Sequence, residues 1–255
     1  MSARRIAMVL AVIGHSLALV GCRRAKPTPP AATDLKGVQT LQSYRWTTEL
    51  RADSSLFDQS QAPEALRSAP FVLKASVKGD RVLPDRERAR TVVEPVPAEP
   101  HESITVGAQR WNRIGDGPWR VGEEAFPAAR AYFGGAAQLS ARAILEPAET
   151  SVVTGLRQEM ASMPYREETV ATGAARCYTL RPEQVAAVVG DASLNPFPVL
   201  KTLPAVRIDV WVDQQRMVLV GLRVAGDTAT RPEAFLLELR VTEIEPAGLR
   251  IDPPR

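Results

Sequence analysis

The sequence predicts a mainly β fold of the α+β class, an antiparallel sheet with a helical insertion near the middle of the chain. Three observations support this prediction. Several segments alternate apolar and polar residues with a period of two, which is typical of strands that bury one face. Residues 123–163 are instead rich in Ala, Glu, Leu and Met. Nowhere do strands and helices alternate regularly, as a parallel sheet would require.

Extended segments fill the first half of the chain. In the first, which starts at Ser43, the apolar side of the alternation consists of Tyr44, Trp46, Thr48 and Leu50. In the second it consists of Phe71, Leu73, Ala75 and Val77, and Gly79-Asp80 is expected to turn the chain. A charged extended run, two short strands and a Gly-Pro turn are predicted next, at 81–94, 102–107, 109–114 and 115–118.

Helices are predicted in the middle of the chain. The Ala-rich stretch favours one or two helices, at 136–145 and 148–161, with Gly134-Gly135, Pro147 and Gly155 as breaks. A shorter helix is expected to begin at Pro182, because proline suits the first turn of a helix. The other segments of this region are strands at 165–172 and 174–181 and a long loop at 191–204.

The last third shows the clearest alternation of apolar and polar residues. Three long antiparallel strands joined by short turns are predicted, and their apolar faces consist of Ile208, Val210 and Val212, of Val218, Val220, Leu222 and Val224, and of Phe235, Leu237, Leu239 and Val241. Asp209, Trp211 and Asp213 fall on the opposite, polar face of the first of these strands. We expect these three side chains to point into solvent.

The N-terminus has the pattern of a secretion signal. Arg4 and Arg5 precede a run free of acidic residues, Lys and Arg, Ile6–Val20. Its length of about 15 residues fits a signal-peptide core and is short for a permanent membrane helix. The run ends in Leu19-Val20-Gly21-Cys22, which resembles the lipobox of bacterial lipoproteins. The resemblance implies cleavage before Cys22 and acylation of its thiol by diacylglycerol with long chains such as palmitate, a stable membrane anchor.

We therefore predict a signal peptide at 1–21, a lipidated cysteine with a Pro-rich tether at 22–38, and one domain at 39–250. An ordinary secretory signal would leave a free cysteine near the cut, and a signal anchor would need a longer apolar run. The residues after Arg5 lack the rest of a twin-arginine pattern. The expected location is extracytoplasmic and lipid-anchored. Arg23 is not the aspartate that marks inner-membrane retention in many two-membrane bacteria, so the outer membrane is favoured in such a cell.

Composition argues against several classes of function. The charged residues before Cys22 are both basic, so the mature chain is close to neutral, and no Lys/Arg cluster with interleaved aromatics indicates nucleic acid as a partner. Cys177 is then the remaining cysteine, which we interpret as a small buried residue rather than a redox group. His101 is the remaining histidine, and the motifs of hydrolases, phosphate loops and zinc sites are absent. We expect no enzyme activity, no cofactor and no metal.

A series of short motifs resembles a known family. In chain order these are Tyr44-Arg45-Trp46, Val77–Arg86, Ile104–Gly107, Arg110–Arg113, Gly115–Trp119 and Ile208–Asp213. Together they resemble lipoproteins of the LppX/LprG type and their wider LolA/LolB-like relatives, over residues 40–246. The resemblance implies a strongly curved, unclosed half-barrel sheet with helices over its concave side. It also implies a lipid, a glycolipid or the acyl chains of a lipoprotein as cargo between them.

Eleven apolar residues are candidates for the lining of such a cavity: Trp46, Leu50, Phe71, Leu73, Val77, Ile208, Val210, Val220, Leu222, Leu237 and Leu239. The same residues suit a plain packed core, and a slip of one residue in register would reverse their face. Two other functions stay open. One is an interaction or sensor module near the membrane, which an exposed apolar patch around Trp211 would favour. The other is a structural envelope lipoprotein without a ligand. We expect a monomer.

Overall fold

A computed structural model describes residues 34–57, 70–95, 99–122, 139–190 and 197–254. Cys22, the predicted signal peptide and most of the predicted tether lie outside these residues. The described strands are β1 Ser43–Asp53, β2 Val72–Val82, β3 Arg86–Glu94, β4 His101–Val106, β5 Gln109–Ile114, β6 Arg120–Val121, β7 Tyr165–Val170, β8 Gly173–Thr179, β9 Ala205–Asp213, β10 Val218–Asp227 and β11 Phe235–Ile244. The described α-helices are α1 Ala141–Glu159 and α2 Pro182–Gly190.

The eleven described strands form one antiparallel sheet, in the order β6-β5-β4-β3-β2-β1-β11-β10-β9-β8-β7. The first and the last strand pair with each other at the middle, so the sheet consists of two meanders joined through β1 and β11. Its edges are β6 and β7, which do not pair, and the sheet is therefore curved but unclosed. The predicted fold class, a mainly β half-barrel with helices on one face, is confirmed.

The two faces of the sheet differ in burial along β1. Tyr44, Trp46, Thr48 and Leu50 are buried, whereas the residues between them are exposed or half-buried. The Tyr44 hydroxyl reaches Glu146 of α1 at 3.1 Å, so this face packs against the helix. We call it the inner face and its opposite the outer face. The alternation predicted for β1 is confirmed.

Helix α1 begins after Ser140, whose Oγ accepts a hydrogen bond from the Ala143 backbone N–H at 3.1 Å. The helix continues through Pro147 and Gly155 to Glu159, so the breaks predicted at these two positions are wrong. The break predicted at Gly134-Gly135 lies outside the described residues. A proline removes one backbone hydrogen bond of the helix. Apolar side chains on both sides of Pro147 nevertheless pack into the same core, and this packing holds the helix in one piece: Ile144, Leu145, Ala148, Val152 and Leu156.

The turn predicted at Gly79-Asp80 is also wrong. Strand β2 continues to Val82, and the chain turns over 83–85 instead. The register places Gly79 directly opposite Trp46. A Cβ at Gly79 would lie 2.3 Å from the Trp46 indole. The glycine therefore allows the ring to approach the backbone of β2 and does not mark a turn.

Strands β9 and β10 are buried on both faces over most of their length. The prediction that Asp209, Trp211 and Asp213 are solvated is therefore wrong, since all three are buried. Asp209 accepts a hydrogen bond from Thr179 Oγ1 at 2.6 Å. Asp213 Oδ1 accepts backbone N–H groups of the following turn at 3.0 and 2.7 Å. These hydrogen bonds replace contacts with water, so both carboxylates can be buried at little cost.

Residues 35–41 pack onto the domain, and we call them the N-terminal strap. Leu35 and Val38, which belong to the predicted tether, are fully buried. Lys36 pairs with Val218 at the start of β10. Arg157 of α1 donates two hydrogen bonds to the Leu35 carbonyl, at 2.8 and 2.6 Å. The packed part of the chain thus includes residues before position 39.

The other predicted elements lie near their expected positions. Strands β4, β5, β7 and β8 overlap the predicted segments, and α2 begins at Pro182. Within the predicted loop at 191–204, Pro198–Lys201 forms a short 3-10 helix, and residues 191–196 lie outside the described ranges. None of the helices in those ranges combines the length and the apolar composition that crossing a membrane requires.

Candidate functional site

The predicted cavity-lining residues come together in the core. Ten of them are buried and Phe71 is half-buried. Leu222 lies opposite both Val210 and Leu239, so the three share the inner face. The whole set packs in one cluster with buried residues of α1. In the linings of four recesses formed by described residues, Trp46 is the only one of the eleven that occurs, so their contact with a ligand stays a prediction.

An open apolar groove lies between α2 and the segment 198–206. Its volume is about 630 Å³, within the usual range for small-molecule sites. The described residues that line it are apolar except for Lys201: Pro182, Val185, Ala186, Val189, Leu200, Lys201, Leu203, Pro204, Ala205 and Val206. The groove therefore offers an apolar surface with one positive charge at its margin.

Packing around the groove holds its second wall in place. The buried Phe197 ring packs against Phe235 of β11 in an edge-to-face arrangement, with 5.4 Å between centroids. Pro198 follows and starts the 3-10 helix. Leu203 lies over Gly226 of β10, where a Cβ would come within 2.3 Å of Leu203 Cδ1. Residues distant in sequence therefore position this wall.

Sequence reasoning selected none of the groove residues as candidates. It interpreted the segment as a loop, and loops usually lie on the surface with polar side chains. The signal that was available is composition, because 197–206 contains mostly apolar residues and prolines.

A smaller recess of about 200 Å³ lies on the other side of α2, between α2 and α1. Glu159 bridges the two helices there, accepting from Gln184 at 3.3 Å and pairing with Arg181 at 3.0 Å.

A buried ionic cluster fixes α1 to the inner face. Arg81 of β2 donates to Glu146 of α1 at 2.7 and 3.2 Å, and the Tyr44 hydroxyl donates to the same carboxylate at 3.1 Å. Glu87 lies 3.9 Å from Arg81. Burial raises the pKa of Glu87 to about 7, although the Arg81 charge opposes this shift. The cluster places two carboxyl groups around one buried guanidinium.

A further buried carboxyl group lies between α1 and the strap. Glu149 is 6% exposed and is packed against Gly37, where a Cβ would overlap its carboxylate. Burial raises the pKa of Glu149 to about 7, the Gln39 backbone N–H opposes the shift, and the nearby Glu146 charge adds to it. Protonation of this group near neutral pH is therefore coupled to the contact between strap and helix.

The outer face of β8, β9 and β11 is closed by a polar network around Trp211. The Arg240 guanidinium stacks on the indole at 3.1 Å from its centroid. Trp211 Nε1 donates to Glu168 of β7 at 2.8 Å. Side chains of β11 and β7, each two strands away from β9, therefore cover Trp211 and explain its burial.

Cys177 is buried in β8, as the sequence predicts. Arg166 Nη2 donates to its sulfur at 3.2 Å. Burial raises the pKa of the Cys177 thiol to about 11, so the reactive thiolate is rare at neutral pH. His101 is buried at the start of β4. Within the described ranges, no group of three or more His, Cys, Asp or Glu side chains is arranged to hold a metal ion.

Comparisons with known proteins give similarity only at the level of solved structures. No protein-family model matches the chain, and no curated protein matches it. An outer membrane lipoprotein-sorting protein domain from Vibrio parahaemolyticus is 9% identical, with a TM-score of 0.26, over 82% of this chain and 87% of that one. A DUF1329 family protein from Desulfovibrio piger is 9% identical, with a TM-score of 0.26, over 84% and 89%.

A LolA superfamily protein from Nitrosomonas europaea is 11% identical, with a TM-score of 0.23, over 88% of this chain and 91% of that one. At these values the similarity carries no argument about function. The half-barrel assignment rests on the strand order and on the position of the helices. The narrower resemblance to LppX/LprG-type lipoproteins stays a prediction.

Proposed function

We propose that the chain is a membrane-anchored lipoprotein that binds a lipid or another acylated molecule, as a carrier or chaperone. The observation that supports this proposal is the apolar groove beside α2, whose described lining contains one charged side chain. A groove of this composition favours an amphiphile, because polar ligands would lose hydrogen bonds with water and gain none from the walls.

The energetics of such binding need no catalytic group. Each CH₂ group that leaves water contributes about 0.8 kcal/mol. An acyl chain of about ten buried methylenes would therefore offer several kcal/mol after the cost of ordering it. Lys201 lies at the groove margin, where its ammonium group suits an acidic headgroup or carboxylate.

The anchor in this proposal is Cys22, acylated after removal of residues 1–21. The chain between Cys22 and the first described residue, Asp34, spans at most about 40 Å when fully extended. It would hold the domain close to the surface of the membrane. A cargo-binding groove at that distance is within reach of molecules that leave the bilayer.

The test is native mass spectrometry of residues 23–255, produced without the anchor, followed by organic extraction of co-purified lipid. The chain should begin at residue 23 and not at the predicted domain boundary, residue 39, because Leu35 and Lys36 contact the core and β10. A stoichiometric lipid would support the proposal. A clean mass, with no uptake when lipids are offered, would contradict it.

A matched pair of variants locates the site. Ala186 and Ala187 are both exposed on α2, but Ala186 lines the apolar groove and Ala187 lines the recess toward α1. Ala186→Arg should abolish lipid uptake, whereas Ala187→Arg should leave it unchanged. Charged replacements of Val220 or Leu222 are unsuitable here, because both residues are buried and the fold itself would suffer.

The burial of Trp211 does not support the alternative function, a protein-interaction or sensor module. That alternative would be favoured by an exposed apolar patch around this residue. Trp211 is 3% exposed and lies beneath Arg240.

A further inference from the structure

A group of basic side chains lies on the outer face of β1, β2 and β3. We call it the basic patch, and it consists of Arg45, Lys78, Arg88 and Arg90. The register places Lys78 of β2 directly opposite Arg90 of β3. Like charges in opposite positions of neighbouring strands destabilise a sheet. This pair therefore needs an explanation other than stability of the fold.

The acidic groups nearest the start of β1 are already engaged. Asp80 accepts from Arg45 at 3.2 Å, and Glu243 accepts from the same guanidinium at 2.6 Å. Arg88 lies opposite Asp80 in the register but makes no ion pair with it within 4.0 Å. Two arginines thus face one shared aspartate in this part of the sheet.

The next row of the sheet has the same imbalance. Glu102 lies opposite Arg90, but its carboxylate pairs with Arg113 at 2.8 Å. Glu49 is an acidic group near Lys78. Burial raises the pKa of Glu49, and the Lys78 charge opposes that shift. Over the residues that the structure describes, the ion pairs include none of Lys78, Arg88 and Arg90.

These side chains surround a recess of about 320 Å³. All four members of the basic patch line it, together with Asp80 and Glu102. Lys78, Arg88 and Arg90 are exposed, so they are accessible to a partner. Guanidinium groups match the oxygens of a phosphate with two parallel hydrogen bonds. The recess therefore suits phosphate groups presented by a surface.

The position of the strap indicates which surface this is. Lys36 pairs with the start of β10, and strands β10, β1 and β3 all start at the same end of the sheet. Arg45 and Arg88 lie near this end. The strap is the first described part of the chain and lies here, and the proposed anchor at Cys22 is at most about 40 Å of extended chain from Asp34. The anchor would therefore hold this end of the sheet near the membrane.

We propose that the basic patch binds the phosphate groups of anionic phospholipids in the membrane that holds the anchor. The inference rests on the proposed anchor and not on the cargo. Helix α2 packs with α1 on the inner side of the sheet, so the outer face and the apolar groove address different partners. Binding through the outer face would orient the domain and leave the groove open to exchange cargo.

The experiment is co-sedimentation of residues 23–255, which include every described residue and lack the acyl anchor, with lipid vesicles. One set contains phosphatidylcholine alone, and the other contains phosphatidylglycerol as well. We expect binding to the anionic vesicles, little binding to the neutral ones, and a loss of binding as salt is raised. The triple variant Lys78→Glu, Arg88→Glu, Arg90→Glu should weaken binding at least about tenfold.

The control is a triple variant with the same change in net charge at exposed positions outside the basic patch and outside the apolar groove: Arg120→Glu, Arg142→Glu and Arg250→Glu. It should keep most of the binding. Equal losses in both triple variants would overturn the inference, because net charge alone would then act. Failure of the unmodified chain to bind anionic vesicles would also overturn the inference, and it would favour an acidic protein as the partner. If the charge-reversal variant does not fold, the milder variant Lys78→Gln, Arg90→Gln repeats the test, and it should also weaken binding to the anionic vesicles. Cargo uptake in the mass-spectrometric test is independent of all these outcomes.

Discussion

Arg81 Nε donates a hydrogen bond to Glu146 Oε1 at 2.7 Å, and this contact joins strand β2 to helix α1 inside the protein. Arg81 is 1% exposed. A charge that has lost its contact with water is tolerated only while its partner remains. The Glu146 carboxylate therefore contributes to the position of α1 on the inner face, together with the apolar side chains that the helix buries.

Replacing that carboxylate should destabilise the fold strongly. Glu146→Ala leaves the Arg81 guanidinium buried without its main partner, and we expect a loss of about 3–5 kcal/mol in the free energy of unfolding. Urea denaturation measures it. The control is Glu243→Ala, which removes an exposed partner of Arg45 and should cost less than about 1 kcal/mol. Similar losses of stability in the two variants would show that the buried ion pair contributes no more to stability than the exposed one.

Stability should fall as pH rises from about 4.5 to about 7. The pKa of Glu149 is about 7 in the folded protein, against 4.5 for an ordinary glutamic acid. The folded state therefore holds a proton in this window that the unfolded state has released. Its stabilising effect is complete below the unfolded pKa and is lost as pH rises through the folded one.

The variant that tests this coupling is Glu149→Gln, which is neutral at every pH. Urea denaturation at pH 5 and pH 8 should show a smaller decline than in the unmodified chain, with a gain of roughly 1–3 kcal/mol at pH 8. Glu183→Gln, in an exposed position of α2, should leave the decline unchanged. If the stability of Glu149→Gln falls between pH 5 and pH 8 as much as that of the unmodified chain, other groups cause the pH dependence. Glu87 would then be the next residue to replace.

Two glycine-to-alanine changes should have opposite effects. Gly79→Ala places a methyl group against the Trp46 indole, and we expect it to lower stability by about 1–3 kcal/mol. Gly155→Ala lies within α1, where the nearest atom to the new Cβ would be Gln184 Nε2 at 3.7 Å. It should raise stability by up to about 1 kcal/mol. Thermal unfolding of both variants checks the pair, and a stable Gly79→Ala would contradict the close contact.

Cys177 should resist thiol reagents in the folded protein. Its thiol is buried, and its pKa of about 11 leaves little thiolate at neutral pH. In residues 23–255 it is the one cysteine, so an aromatic disulfide reagent should report one thiol in urea and almost none without it. Thr169→Cys, exposed on β7, should react in the native state. Rapid reaction of the unmodified protein would contradict the burial.

Local patterns in the chain were enough to predict the mainly β class, the strands at both ends and the start of α2. Period-two alternation is a property of neighbouring residues, so it survives without knowledge of their partners. Tyr44, Trp46 and Leu50 are buried as predicted for this reason. The predictions of a signal peptide at 1–21 and of lipidation at Cys22 rest on the same kind of local pattern and stay predictions.

Contacts between distant residues decided the rest. Trp211 has the position of an outward-facing residue in its strand, but Arg240 and Glu168 from other strands bury it. Pro147 stays helical because core packing outweighs one lost hydrogen bond. The apolar groove and the basic patch likewise join side chains from separate segments of the chain. A local pattern identifies which face a side chain points to, whereas the energy of that face depends on what the fold places against it.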